Sequence, residues 1–262
     1  MRDILDFDRY PLDRPDSPEW TDLVKHCRAE LAENGMFNLD GLMHAHIAQA
    51  EADALSDKFD NESFLHQRDH NIYFLKKVSG LDDGHPALKR FETSNNTLCG
   101  DQARDTAMAR LYHWPEFARF LAAVMEKPAL HVMDDELAGF NVMRYRQGQT
   151  LNWHFDRSEF TTTLLLQSPK KGGEFLYRPD LRTDDDPNYG EVAKLVSGQD
   201  DNVHLLKLAP GTLNVFRGKN TAHKVSEVQG DTPRVITVFC YYEQPGVAFT
   251  DEERLGFYGR VS

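Results

Sequence analysis

The stretch LNWHFDRSEF carries His154 and Asp156 two residues apart, at the start of a run of short, β-prone segments. On an extended chain, side chains two apart point to the same face, so an imidazole and a carboxylate there can converge on one cation. A third ligand must come from elsewhere, and NTAHKVSEV supplies His223 on a late segment that the same alternation reads as a strand. Two His and one carboxylate on one face leave three octahedral positions open, which is what an Fe(II) site needs to bind a bidentate oxoacid and O2 together. His204 in NVHLLKLA competes with His223 for this role, but it precedes the Gly211 turn and comes too early for the late strand.

A His-x-Asp pair arises easily by chance in a chain with 11 histidines, and a surface turn after Trp153 would explain it equally well. Arg234 changes the balance. It heads RVITVFCYY, a segment otherwise suited to a core strand. An unpaired guanidinium is costly to bury, and its fork matches the distal carboxylate of 2-oxoglutarate. The plainer reading of Arg234 is a strand-end ion pair with Glu227 or Asp231.

The elements that would position these residues fall into two halves. Up to about residue 130 the patterning is mainly helical. Ser17 caps a segment with Trp20, Leu23, Val24, Cys27 and Leu31 at helical spacing and Gly35 as its stop, and residues 105–125 form a second apolar-faced stretch broken at Pro115. From Gly139 onward, GFNVMRY, FTTTLLLQ, GGEFLYR, HLLKLA, GTLNVF, HKVSEV and RVITVFCYYE are rich in β-branched and aromatic residues and separated by turn formers. Strands at this spacing indicate a sandwich or jelly-roll barrel. The expected architecture is α+β: one catalytic domain over 1–262, with residues 1–130 as helical support and lid and 131–262 as the jelly-roll core. Residues 182–190 read as an insertion between strands, 63–74 as a lid segment, and FTDEERLGFYGR as a short helix capped by Thr250.

Bulk properties exclude several classes. A net charge of -12 disfavours nucleic acid as a partner. Three widely separated cysteines provide neither a disulfide framework nor a Cys-based zinc site. No apolar run approaches the ~20 residues needed to cross a bilayer, and the acidic, proline-broken start lacks the features of a secretory signal. A cytoplasmic enzyme acting on a small molecule, as monomer or homodimer, is the expectation.

His154-x-Asp156, the distant His223 and Arg234 on the following strand together resemble, in order and approximate spacing, the Fe(II)/2-oxoglutarate dioxygenase pattern over roughly residues 139–245. The run NWHFDRSEFTTTLLLQ with GGEFLYRP resembles a subfamily that acts on free amino acids and includes lysine hydroxylases and halogenases. The resemblance implies a double-stranded β-helix, Fe(II), 2-oxoglutarate and O2 as cofactors, His154, Asp156 and His223 as metal ligands, and Arg234 as the oxoacid anchor. Many members of the wider superfamily place Ser two residues after that Arg, where this chain has Ile236; Tyr145 is then the hydroxyl expected to assist. In the halogenases a small residue replaces the metal carboxylate. Asp156 therefore implies hydroxylation or a related radical outcome such as desaturation or cyclisation.

Substrate contacts are read from position alone. Arg157, directly after Asp156, is the candidate for a substrate carboxylate, and Asn141, on the same expected face as Tyr145, is the candidate pocket residue. A free amino acid or similar small polar metabolite is the expected substrate. The competing reading from another class is a cupin-like jelly roll that binds a ligand without turnover, in which Arg234 is structural. Cupins usually supply His from closely spaced strand motifs. The His44-x-His46 pair lies in the helical half, where residues two apart face different sides.

Overall fold

The computed structural model describes residues 1–262. Helix α1 (Pro18–Asn34) begins where Ser17 Oγ accepts the Trp20 amide at 3.2 Å and Pro18 occupies the first turn, and it stops at Gly35, whose φ of 73° an L side chain would resist. Then come β1 (Met36–Leu39), α2 (Ala45–Ala54), α3 (Ser56–Asn61), β2 (Phe64–His70) and β3 (Phe91–Leu98). The stretch expected to break at Pro115 does so, as α4 (Ala107–Tyr112) and α5 (Pro115–Val124). The barrel half contains β4 (His131–Val132), β5 (Phe140–Tyr145), β6 (Leu151–His154), β7 (Thr161–Gln167) and β8 (Phe175–Arg178), then α6 (Tyr189–Val196) and β9 (His204–Leu206). It ends with β10 (Leu213–Phe216), β11 (Ala222–Val225), β12 (Arg234–Phe239), β13 (Tyr241–Tyr242) and α7 (Asp251–Tyr258).

Two antiparallel sheets face each other. The larger runs β1-β10-β7-β12-β5-β3-β2 and the smaller β6-β11-β8-β9. Alternation along the central strands of the larger sheet divides their side chains. Val235 and Phe239, Leu164 and Leu166, Leu213 and Val215, and Phe140 and Val142 point away from the smaller sheet into a 37-residue core shared with α1, α2, α4 and α5. Tyr145, Leu165, Ile236 and Phe216 point the other way, toward the second sheet, where Phe216 packs on Phe175 of β8 at 5.3 Å between ring centroids. Most of the apolar driving force therefore lies outside the barrel, between sheet and helices. The barrel interior is thereby left able to hold polar groups.

Three features differ from the sequence expectation. Residues 1–130 are not simply helical support: β1 extends the larger sheet alongside β10, and the β2–β3 hairpin extends its other end through β5. These strands are short or polar, with sequences such as HQRDH and ETSNN, so they carry little apolar alternation to read. Residues 63–74 are likewise not a free-standing lid, because most of them form edge strand β2, and only 71–74 turn in toward the barrel mouth. The 182–190 insertion continues into α6, whose Val192, Leu195 and Val196 pack beneath Phe155 and Trp153.

One buried carboxylate ties the C-terminal helix to the barrel half. Asp135 accepts the amides of Leu137, Ala138 and Phe249 and the Arg254 Nε, each at 3.0 Å. Burial alone would raise its pKa, but those donors outweigh it and hold the group below the ordinary value of 3.8. Replacing Asp135 by Ala strands three amides and a guanidinium, and a loss of about 3–5 kcal/mol is expected in urea unfolding at neutral pH. Because the folded-state pKa is depressed, this contribution should be fully present above pH ~4 and disappear as pH falls below it.

Candidate metal centre

Strand β6 ends on His154, and its antiparallel register with β11 places His154 directly opposite His223. Both imidazoles are almost fully buried, with ring centroids 4.0 Å apart. Each Nδ1 meets a backbone carbonyl, His154 with Asn152 O at 2.8 Å and His223 with Thr221 O at 3.0 Å. A carbonyl only accepts, so each Nδ1 carries the proton and each Nε2 is left with a free lone pair, the tautomer a metal ligand needs. Those Nε2 atoms face Asp156, at 3.4 Å from Oδ1 for His154 and 3.3 Å from Oδ2 for His223. One ligand atom from each of the three residues lies within 4.8 Å of the others. Burial, and then the neighbouring His223, push the His154 pKa down. Burial would raise that of Asp156, but the two imidazoles hold it well below its ordinary value. At neutral pH the set is two neutral nitrogen donors and one anionic oxygen, which suits a divalent transition metal.

Arg234 opens β12 on the interior face, opposite Tyr145 of β5. It is 3% exposed, and its Nε and Nη2 have no hydrogen-bond partner. The ion pair with Glu227 or Asp231 does not form. Burial drives the guanidinium pKa down to about 10, with Tyr145 pulling the other way. Tyr145 is itself buried beside it, its hydroxyl 3.7 Å from Met143 Sδ, and burial raises its pKa. A buried cation with two idle donors is the complement of a buried anion.

The model of the Halogenase D family matches residues 89–250, a span that includes both histidines, Asp156 and Arg234. The chain belongs to the Halogenase D family. Among solved structures, it is similar to the non-heme α-ketoglutarate dependent epimerase SnoN from nogalamycin biosynthesis, at 15% identity and a TM-score of 0.57 over 85% of this chain and 83% of that one. It is also similar to HygX from Streptomyces hygroscopicus, solved with nickel and 2-oxoglutarate bound, at 14% identity and a TM-score of 0.55 over 86% and 87% of the two chains. A third is a Pseudomonas putida prolyl-4-hydroxylase, at 12% identity and a TM-score of 0.51 over 82% and 97%. At such identities the likeness shows the shared fold, that of 2-oxoglutarate oxygenases. No curated protein matches the sequence.

Within this Halogenase D chain the two residues expected at the substrate are already engaged. The Arg157 side chain is 73% exposed and donates to Glu253 Oε1 of α7 at 3.0 Å. Asn141 is buried, donating to Leu137 O at 2.8 Å and accepting the Tyr258 hydroxyl at 2.9 Å. Neighbours that the motif did not single out also border the site. Phe74, with φ of 55°, packs edge-on against His154 at 5.7 Å and stacks on His70 at 4.2 Å. Asn71 shapes that turn by accepting the Tyr73 amide at 3.1 Å. Arg182 from the 182–190 insertion lies 3.9 Å over the ring of Phe155, the residue between His154 and Asp156. Strand alternation around the His-x-Asp pair signals none of these, so only proximity in the fold reveals them.

Replacing His154 or His223 by Ala should weaken Co(II) or Fe(II) binding by more than the roughly 10–100-fold that loss of an outer-shell partner costs, read by anaerobic metal titration. Because burial already disfavours the protonated His154, metal retention should be flat above its ordinary value of 6.5 and fail only as pH falls below it.

Proposed function

We propose that the protein is an Fe(II)- and 2-oxoglutarate-dependent oxygenase that uses O2 to hydroxylate an unactivated C–H bond of a free amino acid or similarly small polar metabolite, releasing succinate and CO2. The observation that carries this reading is Arg234, a guanidinium buried in the barrel interior with idle Nε and Nη2 donors, in the sheet that faces β6 and β11, the strands of His154 and His223. An unpaired buried cation destabilises the fold by its desolvation, so it points to an anionic ligand that pairs with it.

The chain's own residues divide the work. His154 and His223 present neutral Nε2 donors, and Asp156 brings the negative charge that favours a divalent cation. Arg234 binds the distal carboxylate of the oxoacid, with Tyr145 beside it closing the interior. Iron with 2-oxoglutarate and O2, when bound, supplies the oxidising power, while the surrounding side chains decide which C–H bond lies within reach. In a Halogenase D member, Asp156 fills with a carboxylate the position that the halogenases leave to a halide, and this favours hydroxylation. Residues 1–262 act on this reading as one catalytic unit, since β1, β2 and β3 are built into the larger sheet.

Anaerobic addition of Fe(II) and 2-oxoglutarate should produce the visible metal-to-ligand charge-transfer band, followed by succinate release in air with a suitable amino acid. Arg234→Met should lose or greatly weaken the band at the same oxoacid concentration. Without oxoacid, the same variant should unfold at higher urea than the wild type, by about 1–4 kcal/mol, because a desolvated charge has been replaced by a packed thioether. Iron-loaded wild type that shows no band would overturn the oxoacid assignment.

A further inference from the structure

We propose that Thr161 and Gly218 are positioning residues that make Asp156 a one-oxygen metal ligand. The inference rests on the metal reading above and concerns how the carboxylate is held. Asp156 presents its two oxygens almost symmetrically, Oδ1 at 3.4 Å from His154 Nε2 and Oδ2 at 3.3 Å from His223 Nε2. Nothing in that pair of distances prevents both oxygens from taking a metal. Two nitrogens and one oxygen leave three positions of an octahedron free, whereas two nitrogens and two oxygens leave only two. A bidentate oxoacid together with O2 needs three. Something must break the symmetry of the carboxylate.

Thr161 does so. Its Oγ1 donates to Asp156 Oδ2 at 2.5 Å, a short, charge-assisted hydrogen bond that ties that oxygen to β7 and leaves Oδ1 as the free donor. Thr161 is held in turn by its place in the sheet, opposite Phe216 at the end of β10. Gly218, two residues beyond Phe216, completes the arrangement. Its carbonyl accepts the Asp156 amide at 3.0 Å, fixing the backbone of the ligand loop. A Cβ at Gly218 would overlap both Thr161 Oγ1 and Asp156 Oδ2 and press on Asp156 Cβ at 3.0 Å. Gly218 is not among the glycines with positive φ, so a left-handed backbone is not what calls for glycine there. Glycine is required there for room: only a residue without a side chain lets the Thr161 hydroxyl and the Asp156 carboxylate meet above it.

The test uses Co(II) as a spectroscopic probe in the full-length protein, with Thr161→Val, Thr161→Ser and Gly218→Ala beside the wild type. Folding of each metal-free variant is checked by circular dichroism. Thr161→Val, nearly equal in shape but without the hydroxyl, should bind Co(II) about 10–100-fold more weakly and show altered visible bands. Thr161→Ser should restore both affinity and spectrum. Gly218→Ala should weaken binding by displacing Asp156, and it stands as an independent test if the valine variant does not fold. Wild-type affinity and spectrum in Thr161→Val, wild-type affinity in Gly218→Ala, or a serine variant as impaired as the valine one would each overturn the proposal. A wild type that takes up no Co(II) would instead overturn the metal reading itself, and this inference with it.

Discussion

The backbone register between β6 and β11 is the constraint on which the rest of the site depends. Opposing His154 to His223 across an antiparallel pair sets both imidazoles on one face, and the Asn152 and Thr221 carbonyls then fix both tautomers. A shift of one residue would turn one imidazole to the other side of the sheet, where Phe155 and Trp153 pack against α6. The register is therefore protected by apolar burial on the far face as well as by hydrogen bonds along the strands. Chemistry and packing are set by the same alternation.

That arrangement asks the barrel interior to hold an anion and a buried cation, both of which are unfavourable in a low-dielectric surround. The fold tolerates them because its main apolar core is elsewhere. The outer face of the larger sheet and the helices bury 37 residues together, while the inner face contributes smaller apolar groups between polar ones. β12 shows the division within one strand: Val235 and Phe239 belong to the outer core, while Arg234 and Ile236 face inward. Arg144 of β5 makes the contrast with Arg234 explicit. It faces outward, pairs with Asp60 at 2.6 Å and stacks on Phe59 at 4.6 Å, so its charge is paired within the protein although its Nε has no partner. Arg234 has no such partner.

The elements outside the barrel converge on its mouth. The C-terminal helix reaches Asn141 through Tyr258, and Arg157, next to Asp156, through Glu253. The turn after β2 brings Phe74 against His154, and the insertion after β8 brings Arg182 over Phe155. Segments far apart in the chain thus build the surroundings of one site.

The sequence by itself determined the parts of this protein that local pattern encodes. Ser17, Gly35, Pro115 and Thr250 mark helix ends through their own backbone and side-chain chemistry, and each stands at such an end in the structure. The change from helical to alternating period near Gly139 announces the barrel, and His154, Asp156, His223 and Arg234 are legible because strand alternation and the cost of burying charge restrict what those residue types can be doing. What only the tertiary structure decided is which groups meet. The strands of the first half went unread because their pairing partners, β10 and β5, lie more than a hundred or several tens of residues away and their own sequences are short or polar. Arg157 and Asn141 were placed by adjacency to the motif, yet their hydrogen bonds are set by α7 and the Leu137 carbonyl. Thr161 and Gly218 carried no signal at all, since a threonine in a TTT run and a glycine in a turn are ordinary until β7 and β10 pair and bring them against the same carboxylate. Alternation and capping are properties of a few neighbouring residues, whereas contacts among distant strands exist only once the sheet register has been chosen.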